Sequence, residues 1–187
     1  HPDIEEFIDI KTDLDRVTKA NISIRINDDF MKAVENKKPY VCRFVVEATG
    51  EVIEREVDAY KLFMKLVKNN WDFAEPGILF WDNIENNHLL SEDKEFKYAG
   101  VNPCAEEPLP AGGSCLLGSI NLSEFVNSPF TGNATFNIED FKVAVKDCVV
   151  GLNEVLEEGL ELHPLQIQKE NVSKYRQIGL GVMGIAD

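Results

Sequence analysis

Between Asn102 and Cys115 the chain carries prolines at 103, 108 and 110 and a glycine pair at 112 and 113. No helix runs through such a stretch. Pro103 disfavours the helical region for Asn102, Pro108 and Pro110 hold the following segment extended, and Gly112-Gly113 lets the chain turn back. The expected conformation of Asn102-Pro103-Cys104-Ala105-Glu106 is therefore extended, which puts residues i, i+2 and i+4 on one side. Asn102, Cys104 and Glu106 would then present an amide, a thiol and a carboxylate to one small ligand. The carboxylate can take a proton from a hydroxyl, and the amide can hold a second hydroxyl. The thiol can be a nucleophile, a metal ligand, a redox partner or a hydrogen-atom donor. Ten residues separate Cys104 from Cys115, and the Pro/Gly loop between them could close a disulfide. Taken singly, each residue has a blander reading: a packed thiol, a solvated carboxylate, a turn amide before proline.

On either side the pattern alternates between strand and helix. Ile4, Phe7 and Ile8 stand at helical spacing, and Ile22, Ile24 and Ile26 alternate as a strand. Asn27 or Asp28 can cap a helix carrying Phe30, Met31 and Val34. Residues 41–47 and 51–57 read as a hairpin with Cys42 packed inside. Asp58 is expected to cap a helix with Tyr60, Phe63, Met64 and Val67 on its apolar face. Residues 77–81 read as a fully buried strand. The Asn-rich segment around His88 is expected to be turn, and residues 116–122 a strand followed by a brief helix capped by Ser123. Residues 138–160 make the longest helix, with Cys148 in its apolar stripe and Gly159 at its end. A further helix from Pro164 and a Gly-interrupted strand over 176–183 complete the pattern. Alternating elements of this kind argue for an α/β fold.

With 33 acidic against 19 basic residues the formal net charge is −14, which argues against a nucleic-acid surface or adhesion to anionic membranes. No apolar run is long enough to cross a bilayer. The four cysteines are widely spaced, without a Cys-x-x-Cys pair or a Cys/His cluster, so neither zinc nor a disulfide framework is expected. That usage points to a reducing cytoplasm.

Asn102-Pro103-Cys104-x-Glu106, followed by Pro108-Leu109 and by residues 113–122 (Gly-Ser-Cys-Leu-Leu-Gly-Ser-Ile-Asn-Leu), resembles the catalytic subunit of ribonucleotide reductases. So do residues 1–8, 21–31, 75–80 and 178–184, in the family's order. The resemblance implies a ten-stranded α/β barrel with the catalytic cysteine on an internal loop, of which this chain supplies part. It implies that Cys104 becomes a thiyl radical and takes the 3′ hydrogen of a ribonucleotide. Glu106 would be the base on the 3′ hydroxyl, Asn102 a hydrogen-bonding partner of the substrate hydroxyls, and Cys115 one member of the redox pair. The pair's other cysteine would lie before the His1 block, as would the loop carrying the specificity effector's signal. Ala105 stands where the family commonly has glycine. Starting on His1 and ending inside a family block, residues 1–187 read as an internal segment of a longer barrel domain.

The wording between Cys104 and Cys115 is most similar to the adenosylcobalamin-dependent (class II) branch. The alternative is a separate di-metal radical subunit (class I). Also implied are dNTP and ATP effectors, a thioredoxin-type reductant and a homodimer. A competing reading is a segment that performs no chemistry without the rest of its subunit.

Overall fold

The computed structural model describes residues 1–114 and 116–186. They fall into two compact units, one of residues 1–96 with 103–106 and one of residues 97–102 with 107 onward. The described strands form five two-stranded sheets and no closed barrel.

The first unit begins with α1 (Ile4–Asp9) and β1 (Ser23–Ile26). Strand β1 alternates as its sequence requires: Ile24 and Ile26 are buried, and Arg25 points out over the ring of Trp81 at 3.8 Å. Asn27 caps α2 (Asp28–Glu35), its side chain accepting from the Phe30 N–H at 2.8 Å. β2 (Pro39–Val45) and β3 (Val52–Asp58) are the expected hairpin, paired antiparallel from Pro39–Asp58 to Val45–Val52, with Cys42 buried. Asp58 then caps α3 (Ala59–Phe73) through the Lys61 N–H at 3.0 Å.

The buried face of α3 is the expected one only at Phe63, which packs against the core. Ala59, Leu62, Leu66 and Asn69 face the core, while Tyr60, Met64 and Val67 are exposed. Apolar residues cover more than one stripe of this helix, so periodicity alone does not choose between them. Packing against α1 does: Asn69 donates to the Ile8 carbonyl at 3.0 Å, and Lys65 pairs with Asp9 at 2.6 Å. Ile8, Ile24, Ile26, Phe30, Val34, Leu62 and Leu66 make one contiguous core.

β4 (Gly77–Phe80) pairs parallel with β1, but only Leu79 is buried and Phe80 is exposed. The expected fifth strand residue, Trp81, instead opens α4 (Trp81–Asn86), which takes up the first part of the Asn-rich segment, while Asn87 and His88 lie in the expected bend and turn. Among the described strands β4 has one partner and so one open edge, and with Phe80 exposed the fully buried reading does not hold here.

Glu75 anchors the start of β1, accepting from the Ile22 N–H at 3.0 Å and pairing with Lys11 at 2.9 Å. The Lys11 hydrogen bond, followed by that of Ile22, holds its carboxyl below the ordinary value, against a smaller opposing effect of burial. A depressed carboxylate contributes stability above its unfolded pKa, near 4.5, that is lost as pH falls through the folded value. Glu75→Gln should therefore melt lower than the wild type at neutral pH, and the gap should close under acid. Thermal melts from pH 7 down to pH about 3 would check it.

The second unit contains β5 (Tyr98–Val101), β6 (Pro108–Pro110) and β7 (Leu117–Asn121). A 3-10 turn over Leu122–Phe125 is capped by Asn121 rather than by Ser123; the Asn121 oxygen accepts from both the N–H and the hydroxyl of Ser123. A short hairpin of β8 (Val126–Asn127) and β9 (Thr135–Phe136) leads to α5 (Ile138–Gly159). Phe125, Phe136 and Phe141 pack ring against ring there, with centroids 5.5–6.1 Å apart. Cys148 is only half-buried, and Leu156 alone among the described residues of α5 is fully buried, so the expected apolar stripe is covered along part of its length. Gly159 ends the helix as expected. α6 (Gln166–Tyr175) and β10 (Gly179–Met183) follow, β10 pairing parallel with β7 in register from Gly179–Leu117 to Met183–Asn121.

Candidate active site

The segment expected to be extended from Asn102 to Glu106 is a hairpin loop. β5 and β6 pair antiparallel, with Val101 opposite Pro108 and a bulge between Tyr98 and Gly100. The next pair along is Asn102 and Glu107. The Asn102 N–H donates to the Glu107 carbonyl at 3.1 Å, and the Glu107 N–H donates to the Asn102 side-chain oxygen at 3.0 Å. Four residues, Pro103 to Glu106, remain beyond that neck and form turn and bend. Ala105 has φ +67°, the left-handed region that favours glycine.

Alternation therefore does not place the three side chains together, because no strand spans them. Asn102 is buried at the neck, while Cys104 and Glu106 are exposed on either side of Ala105. Cys104 is a free thiol and, among the described cysteines, the exposed one; Cys42 is buried and Cys148 half-buried. The expected enclosure of the loop is not provided by the described residues. Cys115 lies outside them, so its approach to Cys104 has no structural description.

The arm descending from the loop is braced within the second unit. The Gln177 amide donates to the Pro108 carbonyl at 3.4 Å, and the Asn171 amide donates to the Ala111 carbonyl. Gly112 takes φ +70°, where a Cβ would lie 2.9 Å from Ile167, so the expected turn occurs and requires glycine. At Gly179 a Cβ would meet Leu117 at 2.5 Å and the Glu107 carboxylate at 3.4 Å. Burial, and then that same carboxylate, push the Tyr98 phenol above its ordinary value. Glu107 and Ala105 are the positions that reading single residues misses. The signal for Glu107 is the symmetry of the hairpin about residues 104 and 105.

His88 does not join this loop. Its Nδ1 accepts from the Leu90 N–H at 3.2 Å, and its ring packs 5.3 Å from Phe96. Two cavities of the first unit, of about 370 and 580 Å³, are lined by core residues such as Ile24, Leu66 and Trp81 and by Asp3, Glu6 and Asp9 respectively. Asn102, Cys104 and Glu106 line neither.

The ribonucleotide reductase barrel-domain family model matches residues 1–187. The chain belongs to the ribonucleotide reductase family. It is 33% identical, over 97% of its length, to a vitamin B12-dependent ribonucleotide reductase of Streptomyces clavuligerus, covering 20% of that protein. It is 31% identical over its whole length to a vitamin B12-dependent ribonucleoside-diphosphate reductase of Thermoplasma acidophilum, covering 23% of it. A third relative, 26% identical over the whole chain, is a putative ribonucleoside-diphosphate reductase large subunit of Frog virus 3, of which 33% is covered. The chain thus spans about a fifth to a quarter of the length of the two B12-dependent reductases. Among the described residues no helix is long and apolar enough to cross a membrane.

The two cavities do not suit adenosylcobalamin: one has an apolar core floor, the other an acidic lining, and Cys104 lines neither.

Proposed function

We propose that this chain supplies the radical-bearing segment of a ribonucleotide reductase that makes deoxyribonucleotides for DNA synthesis. The observation that carries the reading is the exposed free thiol of Cys104 on a pinched hairpin loop, beside Glu106, in a chain that the family model matches from end to end. As a thiyl radical, Cys104 takes the 3′ hydrogen of the ribonucleotide, becoming a thiol, and gives the hydrogen back to C3′ at the end, which regenerates the thiyl. Glu106 accepts the 3′ hydroxyl proton. Asn102 hydrogen-bonds the substrate hydroxyls from the neck. Two electrons come from a dithiol pair to which Cys115 belongs, as the 2′ hydroxyl leaves as water.

A thiyl radical must be kept from water-borne reductants and from oxygen. Cys104 is exposed in this chain; in this reading its shelter comes from other segments of the full-length protein, in the ten-stranded barrel that the family implies. By itself the 187-residue chain is expected to turn over no substrate. The names of the B12-dependent relatives favour adenosylcobalamin as the radical source. Ribonucleoside di- or triphosphates as substrates, dNTP and ATP as effectors, a thioredoxin-type reductant and a homodimer belong to the same reading.

The test is reduction of ribonucleoside di- and triphosphates by the full-length protein, with adenosylcobalamin as the only radical source. Deoxyribonucleotide formation that requires the cobalamin supports the reading. Formation only on adding a separate metal-containing subunit assigns the radical to that subunit and leaves the roles of the loop residues unchanged. No formation with either would overturn it.

A further inference from the structure

In an antiparallel pair, facing residues alternate between pairs that exchange both backbone N–H···O bonds and pairs that exchange none, and a backbone bond from Asn102 to Glu107 marks this pair as the first kind. The neck of the loop departs from this. One bond is of the ordinary kind, from the Asn102 N–H to the Glu107 carbonyl at 3.1 Å. The other runs from the Glu107 N–H to the side-chain oxygen of Asn102 at 3.0 Å. The Asn102 side chain thus stands in for a rung of the ladder, and it is buried where it does so. Beyond this rung lie four residues, one of which, Ala105, is left-handed at φ +67°.

We propose that Asn102 is a positioning residue for the loop, closing its neck through the side-chain oxygen before any substrate arrives. The inference rests on the roles given above to Cys104 and Glu106 and adds a second task for Asn102, separate from contact with substrate. A four-residue loop has few ways to arrange itself once its ends are tied. With the neck shut and Ala105 fixing the turn, Cys104 and Glu106 hold one spacing. With the neck open, both reacting groups shift, and a displacement of about 1 Å can cost about a hundredfold in rate.

The test reads the neck rather than the reaction. In the substrate-free, full-length protein, the Glu107 amide should exchange with deuterium more slowly than the amides of Cys104, Ala105 and Glu106. Asn102→Ala should raise the Glu107 exchange rate by up to about tenfold, the worth of one hydrogen bond. It should also change the rate at which iodoacetamide alkylates Cys104. Asn102→Asp keeps an oxygen in the same place and should restore most of the protection, although it loses the amide that a substrate hydroxyl would meet. A residue acting only on bound substrate would leave exchange and alkylation in the free protein unmoved.

A Glu107 amide that exchanges as fast as its neighbours in the wild type would overturn the proposal. This outcome needs no variant to fold. Unchanged protection in Asn102→Ala would overturn it too, as would an Asn102→Asp variant that stays as open as Asn102→Ala. None of these readouts involves turnover, so the chemical roles of Cys104 and Glu106 can fail while the neck stands, and the reverse.

Discussion

Cys104→Ser is expected to leave the full-length protein folded and to abolish ribonucleotide reduction. The expectation has two parts. Cys104 is exposed on a four-residue loop, and its side chain fills no part of the core. Serine is also close to cysteine in size and shape, so the loop should keep its fold where other segments enclose it, and a folding defect would not explain the loss. The chemical part concerns bond strength. A thiol S–H bond is close enough in strength to a sugar C–H bond for hydrogen to pass in either direction. A serine O–H bond is far stronger, so the hydroxyl can neither be oxidised by the same radical source nor return the hydrogen at the end. The other described cysteines cannot substitute: Cys42 is buried in the β2–β3 hairpin, and Cys148 lies on α5. The measurement is deoxyribonucleotide formation by purified Cys104→Ser beside wild type, with thermal melting as the folding control. Product from a well-folded serine variant would remove Cys104 from the chemistry.

Much of the fold is legible because short-range signals decide it. Asn27 and Asp58 each cap the helix that follows, as their side-chain oxygens allow. The β2–β3 hairpin and the turn at Gly112 follow from residue type in the same way. What the sequence leaves open depends on partners far along the chain. The buried face of α3 is chosen by Asn69 reaching Ile8, 61 residues away, which no window of helical periodicity contains. The exposure of Phe80 reflects a strand with a single partner, which composition does not report.

The candidate site divides along the same line. Proline placement correctly excludes helix between Asn102 and Pro110, yet it does not separate an extended strand from a hairpin. That choice is made by the pairing of β5 with β6. Ala105 shows the limit most plainly. As a residue type alanine gives no sign of a positive φ, and only the closed neck makes a left-handed residue the way to complete the turn. The commonness of glycine at this position in the family has a physical counterpart here. Glycine would take φ +67° without the 1–2 kcal/mol or so that a Cβ adds.

Glu106→Gln should slow the reaction by about 10²–10⁴-fold while leaving nucleotide affinity nearly unchanged. The glutamine keeps the length of the side chain and an oxygen that can accept a hydrogen bond, so the substrate hydroxyl retains a partner. It loses the ability to take a proton, and proton removal from the 3′ hydroxyl is the task assigned to this group. The loss should therefore fall on kcat, with KM little moved, as for an interaction made in the transition state rather than in the ground state. Glu106→Asp separates chemistry from reach. It keeps the carboxylate but withdraws it by one carbon–carbon bond, and a base misplaced on that scale loses about 10²-fold. The aspartate should thus retain measurable turnover, at or above that of the glutamine variant. Glutamine keeps the size of the Glu106 side chain and aspartate removes one methylene, so neither variant should melt far from wild type. Steady-state kinetics on the full-length protein, with direct measurement of nucleotide binding, gives the answer. A glutamine variant with near-normal kcat would show that the proton leaves by another route, and Glu107, whose backbone closes the loop, would be the next carboxylate to replace.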